Sequence, residues 1–275
     1  MEKATINDEN RFDRDAGRYA TYLDTPEGRL RADLTFANLQ EFLPAPDRMR
    51  SLCAVDLGCG TGAASLSLAR LGVSVTLIDA SQAMLGLAES AIVSAGLRDK
   101  TELRCGDLAR LPAIFPERSF DIILCHNVLE YVDDPSAVLR GAVRLLRDSS
   151  ALLSILVRNQ AGEVLKAAIN IGDLAAAENN LSTEWGQESL YGGQVRLFTP
   201  DGLGAMLRDA SIKVVARRGV RVVADYLHAQ ISRSAEYDRI FALERKLSVR
   251  SEFIGVARYI QYLAGSGSYV QKGNK

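Results

Sequence analysis

The stretch Val55-Asp56-Leu57-Gly58-Cys59-Gly60-Thr61-Gly62-Ala63 joins a short apolar run to an amphipathic one. Residues 53–57 predict a buried β-strand, and residues 63–71 predict the helix that follows it. The glycines between them allow a tight turn and let the backbone approach a ligand at the N-terminus of the helix. This order of elements predicts the first unit of a parallel α/β sheet with a ligand site at its edge.

The segments that follow repeat this alternation. Apolar strand candidates lie at residues 73–78, 101–105, 120–125 and 152–157, with helices at 81–94, where Ser81 is the N-cap, and after Asp134-Pro135. Beyond Arg158 we expect helices at 163–174, after the N-cap Thr199 and at 236–249. Further strands are expected at 212–216, 220–224 and 254–262.

The pattern predicts one α/β domain over residues 1–275, with a doubly wound, seven-stranded sheet whose last strand is antiparallel. We divide it into an N-terminal helical cap (1–45), a cofactor-binding core (51–158), a lid insertion (159–200) and a C-terminal substrate-side hairpin and helix (201–275). The insertion is either a substrate lid or an ordinary packing excursion. The lid is favoured, because the insertion begins after the fifth strand and ligands of such sheets bind over the carboxyl ends of the strands.

Composition restricts the class of protein. The 275 residues are 47% hydrophobic and 24% charged, which is typical of a globular chain, and no apolar run approaches the ~18 residues that span a bilayer. The N-terminus shows no apolar signal segment. Four cysteines without a Cys-x-x-Cys pair favour free thiols, and two histidines argue against a zinc site. We therefore expect a cytoplasmic protein with no metal and no membrane partner.

The glycine-rich stretch has two interpretations. Gly58, Gly60 and Ala63 satisfy the dinucleotide pattern G-x-G-x-x-G/A, with Asp79 about 20 residues further on. Asp56 distinguishes the two, because a carboxylate at the end of the strand is poorly placed beside a pyrophosphate. It suits S-adenosylmethionine, which has no phosphate and carries an ammonium and a sulfonium group.

Acidic residues also follow the next two strands. Asp79 can accept hydrogen bonds from a ribose diol, and Asp107, after Gly106, can accept one from the exocyclic amine of adenine. His126 ends the fourth strand at the same crevice. Each acid alone could be a helix N-cap, but three at successive strand ends around one glycine loop favour a cofactor site. We predict S-adenosylmethionine as the cofactor and S-adenosylhomocysteine as its product.

Residues 51–158 resemble the class I S-adenosylmethionine-dependent methyltransferases through the segments 55–62, 75–79, 106–107 and 120–132. A narrower likeness is to the family that methyl-esterifies 5-carboxymethoxyuridine at the wobble position of tRNA. The segments that carry it are Phe12-Asp13, Pro26-Glu-Gly-Arg-Leu-Arg31, His126-Asn-Val-Leu-Glu130, Gly219-Val-Arg-Val-Val-Ala-Asp-Tyr-Leu227 and Arg258-Tyr-Ile-Gln261.

This resemblance implies a class I methyltransferase fold and assigns cofactor contacts. The residues that match the family's contacts are Arg31, Gly58, Cys59, Asp79, Gly106, Asp107 and His126. Together with Asp56 and Gly60, they form the predicted cofactor site. Cys59 replaces a glycine of the family's loop, and Asp148-Ser149-Ser150 replaces its usual turn before the fifth strand.

The charge pattern bears on the methyl acceptor. The tRNA-modifying family has a run of lysines in its insertion. Residues 171–195 here contain four acidic residues and neither Lys nor Arg, and the acids would repel RNA phosphates. Residues 208–275, by contrast, hold 13 basic and 6 acidic side chains. This excess is either a solvated helix surface or a surface that attracts an anion. We rank an anionic small molecule ahead of tRNA as the acceptor.

Candidate substrate and catalytic residues are fewer. Arg158, Arg196 and Arg221 could each bind a substrate carboxylate, although each could equally form a surface salt bridge. His126 could be a general base, but its position favours contact with the cofactor. Oxygen of a carboxylate is the predicted nucleophile. The alternatives of a different class are a nicotinamide-dependent oxidoreductase and a catalytically inactive subunit that binds S-adenosylmethionine.

Overall fold

A seven-stranded mixed sheet carries the crevice that the sequence predicts. The computed structural model describes residues 11–188, 190 and 192–265, so the first ten residues of the predicted cap and residues 266–275 lie outside the described chain. The strands of the sheet, numbered in chain order with a separate two-stranded hairpin (β6, β7), are β1 Cys53–Leu57, β2 Ser74–Asp79, β3 Thr101–Cys105, β4 Ile122–His126, β5 Leu152–Arg158, β6 Trp185–Gln187, β7 Gln194–Arg196, β8 Lys213–Val220 and β9 Tyr259–Gly265.

The strand order is β3-β2-β1-β4-β5-β9-β8, and β9 runs antiparallel to both of its neighbours. The predicted seven-stranded, doubly wound sheet with an antiparallel last strand is therefore confirmed. The order reverses between β1 and β4, which pair in parallel. Their carboxyl ends diverge at this switch point and open a crevice, as in other doubly wound sheets.

Helices cover both faces of the sheet. They are α1 Arg11–Leu23, α2 Pro26–Gln40, α3 Pro46–Met49, α4 Ala63–Arg70, α5 Gln82–Ser94, α6 Leu111–Ile114, α7 Pro135–Leu145, α8 Gln160–Leu165, α9 Leu174–Ser182, α10 Pro200–Asp209, α11 Tyr237–Leu247 and α12 Ser251–Ile254. Short 3₁₀ turns lie at Arg98–Lys100, Leu108–Arg110 and Ala224–Tyr226, and a π-helical turn lies at Lys166–Ile171. In the described ranges, no helix combines the length and apolar character that a membrane span requires.

Local signals at helix starts are confirmed. Ser81 caps α5 by accepting a hydrogen bond from the Met84 N–H at 3.1 Å, and Thr199 caps α10 by accepting one from Gly202 at 3.1 Å. Asp134 caps α7, whose first residue is Pro135. A hydroxyl or carboxylate that accepts an otherwise unpaired N–H fixes the first turn of a helix, so these starts are local properties of the sequence.

One predicted element beyond β5 is wrong, and two others have different bounds in the structure. Residues 220–224 do not form a strand, because β8 ends at Val220 and Arg221 adopts a left-handed conformation with φ 58°. The Glu244 carboxylate accepts the N–H groups of Val222, Val223 and Ala224, which replaces ladder hydrogen bonds there. The predicted strand 254–262 starts only at Tyr259, after α12. The predicted helix 163–174 is divided among α8, the π turn and α9.

The junction of α1 and α2 depends on a small residue at position 28. A Cβ atom there would lie 2.1 Å from the carbonyl oxygen of Tyr22, whereas a Cβ at Gly86 in α5 would meet nothing within 4 Å. We expect Gly28→Ala to lower the free energy of unfolding by about 1–3 kcal/mol through steric overlap. Gly86→Ala, the matched control, should raise it by up to about 1 kcal/mol. Urea unfolding of both variants tests this, and equal effects would contradict the close approach.

Candidate active site

A cavity of about 780 Å³ lies over the carboxyl ends of β1, β2, β4 and β5, under α1 and α2. Its volume is within the range of small-molecule and cofactor sites. Most of the predicted cofactor residues line it, namely Arg31, Asp56, Gly58, Cys59, Gly60, Asp79, Asp107 and His126. Of the predicted cofactor set, Gly106 is the exception. A Cβ at that position would pack against Ile78 and Ile114, 3.0 Å away, so Gly106 lets β3 continue closely past β2 into Asp107.

The glycine loop folds back over the end of β2. The N–H groups of Gly58 and Cys59 both donate to the carbonyl of Ile78, at 2.8 and 3.0 Å. Gly58 and Gly60 have φ values of 66° and 53°, in the left-handed region where a side chain costs energy. At Gly58 a Cβ would also lie 2.5 Å from the Val128 side chain. The loop therefore keeps bare backbone at the floor of the cavity.

Asp79, the last residue of β2, holds the loop in this position. One carboxylate oxygen accepts from the Gly60 N–H at 2.8 Å and the other from the Ser81 N–H at 2.9 Å. Burial raises the pKa of Asp79, and these backbone hydrogen bonds act in the opposite direction. Each carboxylate oxygen still has acceptor capacity, so Asp79 can bind a ligand hydroxyl as well.

Asp56 lies deeper, at the end of β1. Its carboxylate accepts a hydrogen bond from the Ser65 hydroxyl of α4 at 2.6 Å, and the residue is 3% exposed. Burial is the main cause that raises the pKa of Asp56 to about 7, partly offset by the Ser65 hydrogen bond. A carboxyl group in this state favours a cationic ligand, because a neighbouring positive charge would stabilise its ionised form.

The remaining acidic and thiol groups differ in exposure. Asp107 is exposed and accepts from the Ala109 N–H at 2.9 Å, so it caps a 3₁₀ turn while it borders the cavity. Burial raises the pKa of the Cys59 thiol, which keeps it protonated. All four cysteines are free, as the sequence predicted; Cys125 is buried and Cys105 is exposed.

The N-terminal helices form the roof. Arg31 of α2 is 7% exposed, lines the cavity and donates to the Tyr19 hydroxyl of α1 at 2.8 Å. No carboxylate in the described chain pairs with Arg31 in a salt bridge, although aromatic rings of Tyr19, Tyr22 and Tyr259 surround its guanidinium. A buried arginine without an anionic partner has charge available for a ligand.

Asp13 of α1 binds the start of α5, a role that was not predicted from the sequence. Its carboxylate accepts from the Ser81 hydroxyl at 2.5 Å and from the Ala83 N–H at 3.0 Å, which ties α1 to the start of α5 beside Asp79. These hydrogen bonds lower the pKa of Asp13. The Phe12-Asp13 resemblance was the signal in the sequence, but only the fold brings residues 13 and 81 together.

Of the three predicted substrate arginines, only Arg158 lines the cavity. It is 6% exposed and bonded to Glu163 at 3.1 Å and to Glu188, whose carboxylate also accepts from the Tyr131 hydroxyl. Glu188 belongs to the insertion, and nothing in the sequence signalled this pairing.

The other two arginines are engaged elsewhere. Arg196 donates to the Val132 carbonyl at 3.2 Å and lies over the Trp185 ring. Arg221 pairs with Asp225 and donates to the Tyr22 hydroxyl at 2.8 Å. The structure therefore does not bring Arg158, Arg196 and Arg221 together around one point of the cavity.

Known proteins resemble this chain both in its core and over most of its length. Residues 55–154 match the protein family described as "Methyltransferase domain". The chain is 28% identical over 250 residues, 87% of its length and 89% of the relative's, to the tRNA 5-carboxymethoxyuridine methyltransferase of Escherichia coli (strain K12). It is 30% identical over 163 residues, 58% of its length and 64% of the relative's, to the ubiquinone biosynthesis O-methyltransferase of Stutzerimonas stutzeri.

A solved structure from Thermotoga maritima has a similar fold. It is described as a "SAM-dependent methyltransferase, possible histamine N-methyltransferase", and superposes with a TM-score of 0.63 over 94% of this chain and 98% of the other, at 16% identity. At that identity the likeness concerns the fold.

The raised pKa of Asp56 makes stability depend on pH. In the unfolded chain this carboxyl ionises near pH 4, but in the folded, ligand-free protein it holds its proton to about pH 7. Between these values the native state binds more protons, so its stability falls as the pH rises, by at most about 1.4 kcal/mol per pH unit. We expect Asp56→Asn to gain stability relative to the wild type between about pH 5 and pH 7. Urea unfolding at several pH values measures this, and parallel curves would contradict it.

Proposed function

Because this chain is an S-adenosylmethionine-dependent methyltransferase with the class I fold, we propose that it transfers the methyl group to a carboxylate oxygen of an anionic acceptor. S-adenosylmethionine is the cofactor, as the sequence predicted, and the alternative of a nicotinamide-dependent oxidoreductase is set aside. The observation that carries the proposal is that two arginines, Arg31 and Arg158, line one cavity at 7% and 6% exposure.

The cavity residues fit the cofactor in chemical type. In our proposal Asp79 accepts from the ribose hydroxyls, Asp107 from the adenine amine and Asp56 interacts with the methionine ammonium. The backbone of Gly58, Cys59 and Gly60, which lines the cavity, would hold the methionine part. Gly106 contributes through its effect on the backbone before Asp107 and not through the cavity wall.

Arg31 and Arg158 each bind one carboxylate in this proposal. Arg31, which pairs with no acid in the described chain, binds the carboxylate of the cofactor, as the family resemblance implies. Arg158 uses the N–H groups that Glu163 and Glu188 leave free to orient the acceptor carboxylate. Arg196 and Arg221 act only indirectly, through Trp185 and through Asp225.

The chemistry asks little of the protein beyond orientation. S-adenosylmethionine supplies an electrophilic methyl group on a sulfonium. A carboxylate acceptor is ionised near neutral pH and loses no proton, so no general base is required. The rate therefore depends on holding the acceptor oxygen close to, and in line with, the methyl carbon. Rigid, mostly buried groups such as Arg158 suit this task, because their side chains are already ordered.

We keep an anionic small molecule as the first candidate acceptor and a tRNA carboxylate as the second. The second is supported by a specific observation, the similarity over 87% of the chain to a tRNA 5-carboxymethoxyuridine methyltransferase. It is also supported by the placement of Glu188, which is 5% exposed and paired with Arg158. That acid adds no repulsion toward phosphates at the surface, which leaves fewer exposed acids in the insertion than its sequence suggests.

Asp79 provides a direct test of the cofactor site. Asp79→Ala removes the ribose acceptors and the support of Gly60, and lost hydrogen bonds to a charged group are worth roughly 1.5–3 kcal/mol. We expect S-adenosylhomocysteine to bind roughly 10- to 100-fold more weakly, measured by calorimetry. Asp148→Ala is the matched control, because Asp148 also accepts a backbone N–H, from Ser150 at 2.7 Å, but does not line the cavity. Unchanged affinity in Asp79→Ala would remove this assignment.

The acceptor can be identified with radiolabelled cofactor. The enzyme is incubated in parallel with a metabolite extract and with bulk tRNA from a strain that lacks its own wobble carboxyl methyltransferase. We expect incorporated label that is lost in mild alkali, as a methyl ester requires. Label in small molecules supports the first candidate and label in nuclease-sensitive material the second. Label that resists alkali in both would contradict methylation of a carboxylate.

A further inference from the structure

A chain of three buried polar side chains lies behind His126, and the proposed function gives it no task. Asn38 of α2, Ser154 of β5 and Gln261 of β9 are each 0% exposed. Gln261 hydrogen-bonds both of the others, and the Ser154 hydroxyl lies 2.8 Å from Nε2 of His126. Buried polar groups strongly favour pairing, and Asn38 Oδ1 is the one polar side-chain atom of these three residues that lacks a partner in the described chain. The directions of the hydrogen bonds that do form can be worked out from their partners.

The orientation of Gln261 is fixed first. Its amide nitrogen Nε2 lies 3.0 Å from the backbone carbonyl of Thr35, which can only accept. The nitrogen must therefore face Thr35, and the Gln261 carbonyl oxygen faces Asn38 Nδ2 at 3.0 Å. The second N–H of the Gln261 amide then donates to the Ser154 hydroxyl oxygen at 3.1 Å. Reversing the amide would place two acceptors against each other at Thr35.

Ser154 transmits this direction to His126. Its oxygen already accepts from Gln261, and the acceptor that the described residues offer to its own proton is Nε2 of His126. If Nε2 carried a proton instead, the Ser154 O–H would be a buried donor without a partner, which is energetically unfavourable. Nε2 is therefore the unprotonated nitrogen, and the ring proton resides on Nδ1.

Nδ1 is the ring nitrogen left to face the ligand. His126 lines the cavity, and its Nε2 is held by Ser154. Its Nδ1 is not one of the described chain's buried, unpaired atoms, so it remains accessible from the cavity. The titratable and charged groups on neighbouring elements include Asp56 of β1, Arg31 of α2, Arg158 at the end of β5 and Glu130 after β4. Burial, with a further contribution from Arg31, lowers the pKa of His126 to about 3. The imidazole thus stays neutral across the physiological range.

We propose that the Asn38–Gln261–Ser154 chain fixes His126 in the Nδ1–H tautomer, so that it donates a hydrogen bond to a carboxylate in the cavity and is not a general base. Arg31 and Nδ1–H are then two donors in the lining of the same cavity, which suits the two oxygens of a carboxylate. The inference rests on the proposed function in taking this cavity as the place where a carboxylate binds. That carboxylate belongs either to the cofactor or to the acceptor, and the binding experiments below distinguish the two.

The tautomer is directly observable in ligand-free protein. The chain has two histidines, so a ¹⁵N-histidine long-range NMR spectrum of His228→Asn reports His126 alone. We expect a protonated Nδ1 and an unprotonated Nε2, unchanged from about pH 5.5 to about pH 8.5. In Ser154→Ala we expect Nε2 to become protonated in part of the population. An Nε2–H tautomer or an imidazolium in the otherwise wild-type protein, or an unchanged ring in Ser154→Ala, would overturn the proposal.

Binding measurements identify the carboxylate. S-adenosylhomocysteine carries the cofactor carboxylate, methylthioadenosine lacks it, and acetate added to the S-adenosylhomocysteine complex is the probe for the acceptor group. If the cofactor is the partner, His126→Ala weakens S-adenosylhomocysteine by roughly 10- to 100-fold and leaves methylthioadenosine unchanged. If the acceptor carboxylate is the partner, His126→Ala instead weakens the binding of acetate to the S-adenosylhomocysteine complex.

His126→Asn tests whether the donor itself matters. Its amide N–H takes the position of Nδ1–H, so we expect it to restore most of the lost affinity. Equal affinities of wild type and His126→Ala for all three probes would overturn the donor role. None of these measurements needs methyl transfer, so a failure of the acceptor experiment above leaves them unaffected.

Discussion

A buried chain of alternating charges holds the walls of the cavity together. Three acids and three arginines, each 7% exposed or less, follow one another from the insertion to the turn after β8. In order they are Glu188, Arg158, Glu163, Arg258, Asp225 and Arg221. Removing one partner from such a pair leaves an uncompensated buried charge, which typically costs about 3–5 kcal/mol. Four parts of the fold each contribute a member of this chain, so their positions are coupled. They are the insertion, the end of β5, the residue just before β9 and the turn after β8.

The cost of leaving a buried polar group unpaired also explains which groups are available to a ligand. The charge of Arg221 is neutralised by Asp225 of the chain. Arg158 pairs with two acids of the chain and in our proposal keeps N–H groups for the acceptor, whereas Arg31 has aromatic neighbours and the Tyr19 hydroxyl but no acid in the described residues. The Asn38–Gln261–Ser154 chain likewise leaves one directed donor, at His126. In a low-dielectric wall, the few groups that are not internally satisfied determine what can bind there.

The structure of residues 51–158 could be predicted from the sequence because its signals are local. The glycine loop, the cap Ser81 and the apolar strands with Asp56, Asp79 and His126 near their carboxyl ends each fix a short segment by backbone geometry or a hydrogen bond to a near neighbour. Residues 220–224 failed for the opposite reason. Their β-branched composition favours a strand, but Glu244, some 20 residues away, accepts three of their N–H groups.

The sequence by itself determined the class of enzyme, the cofactor and the residues at the strand ends, because a parallel sheet brings those ends to one edge whatever surrounds them. Only the tertiary structure decided what the remaining polar residues do. The sequence presents Arg158, Arg196 and Arg221 as equivalent, but their roles depend on whether Glu188, Trp185 or Asp225 reaches them. These partners come from distant or irregular segments, and a buried charge takes whichever partner the packing brings within hydrogen-bond distance.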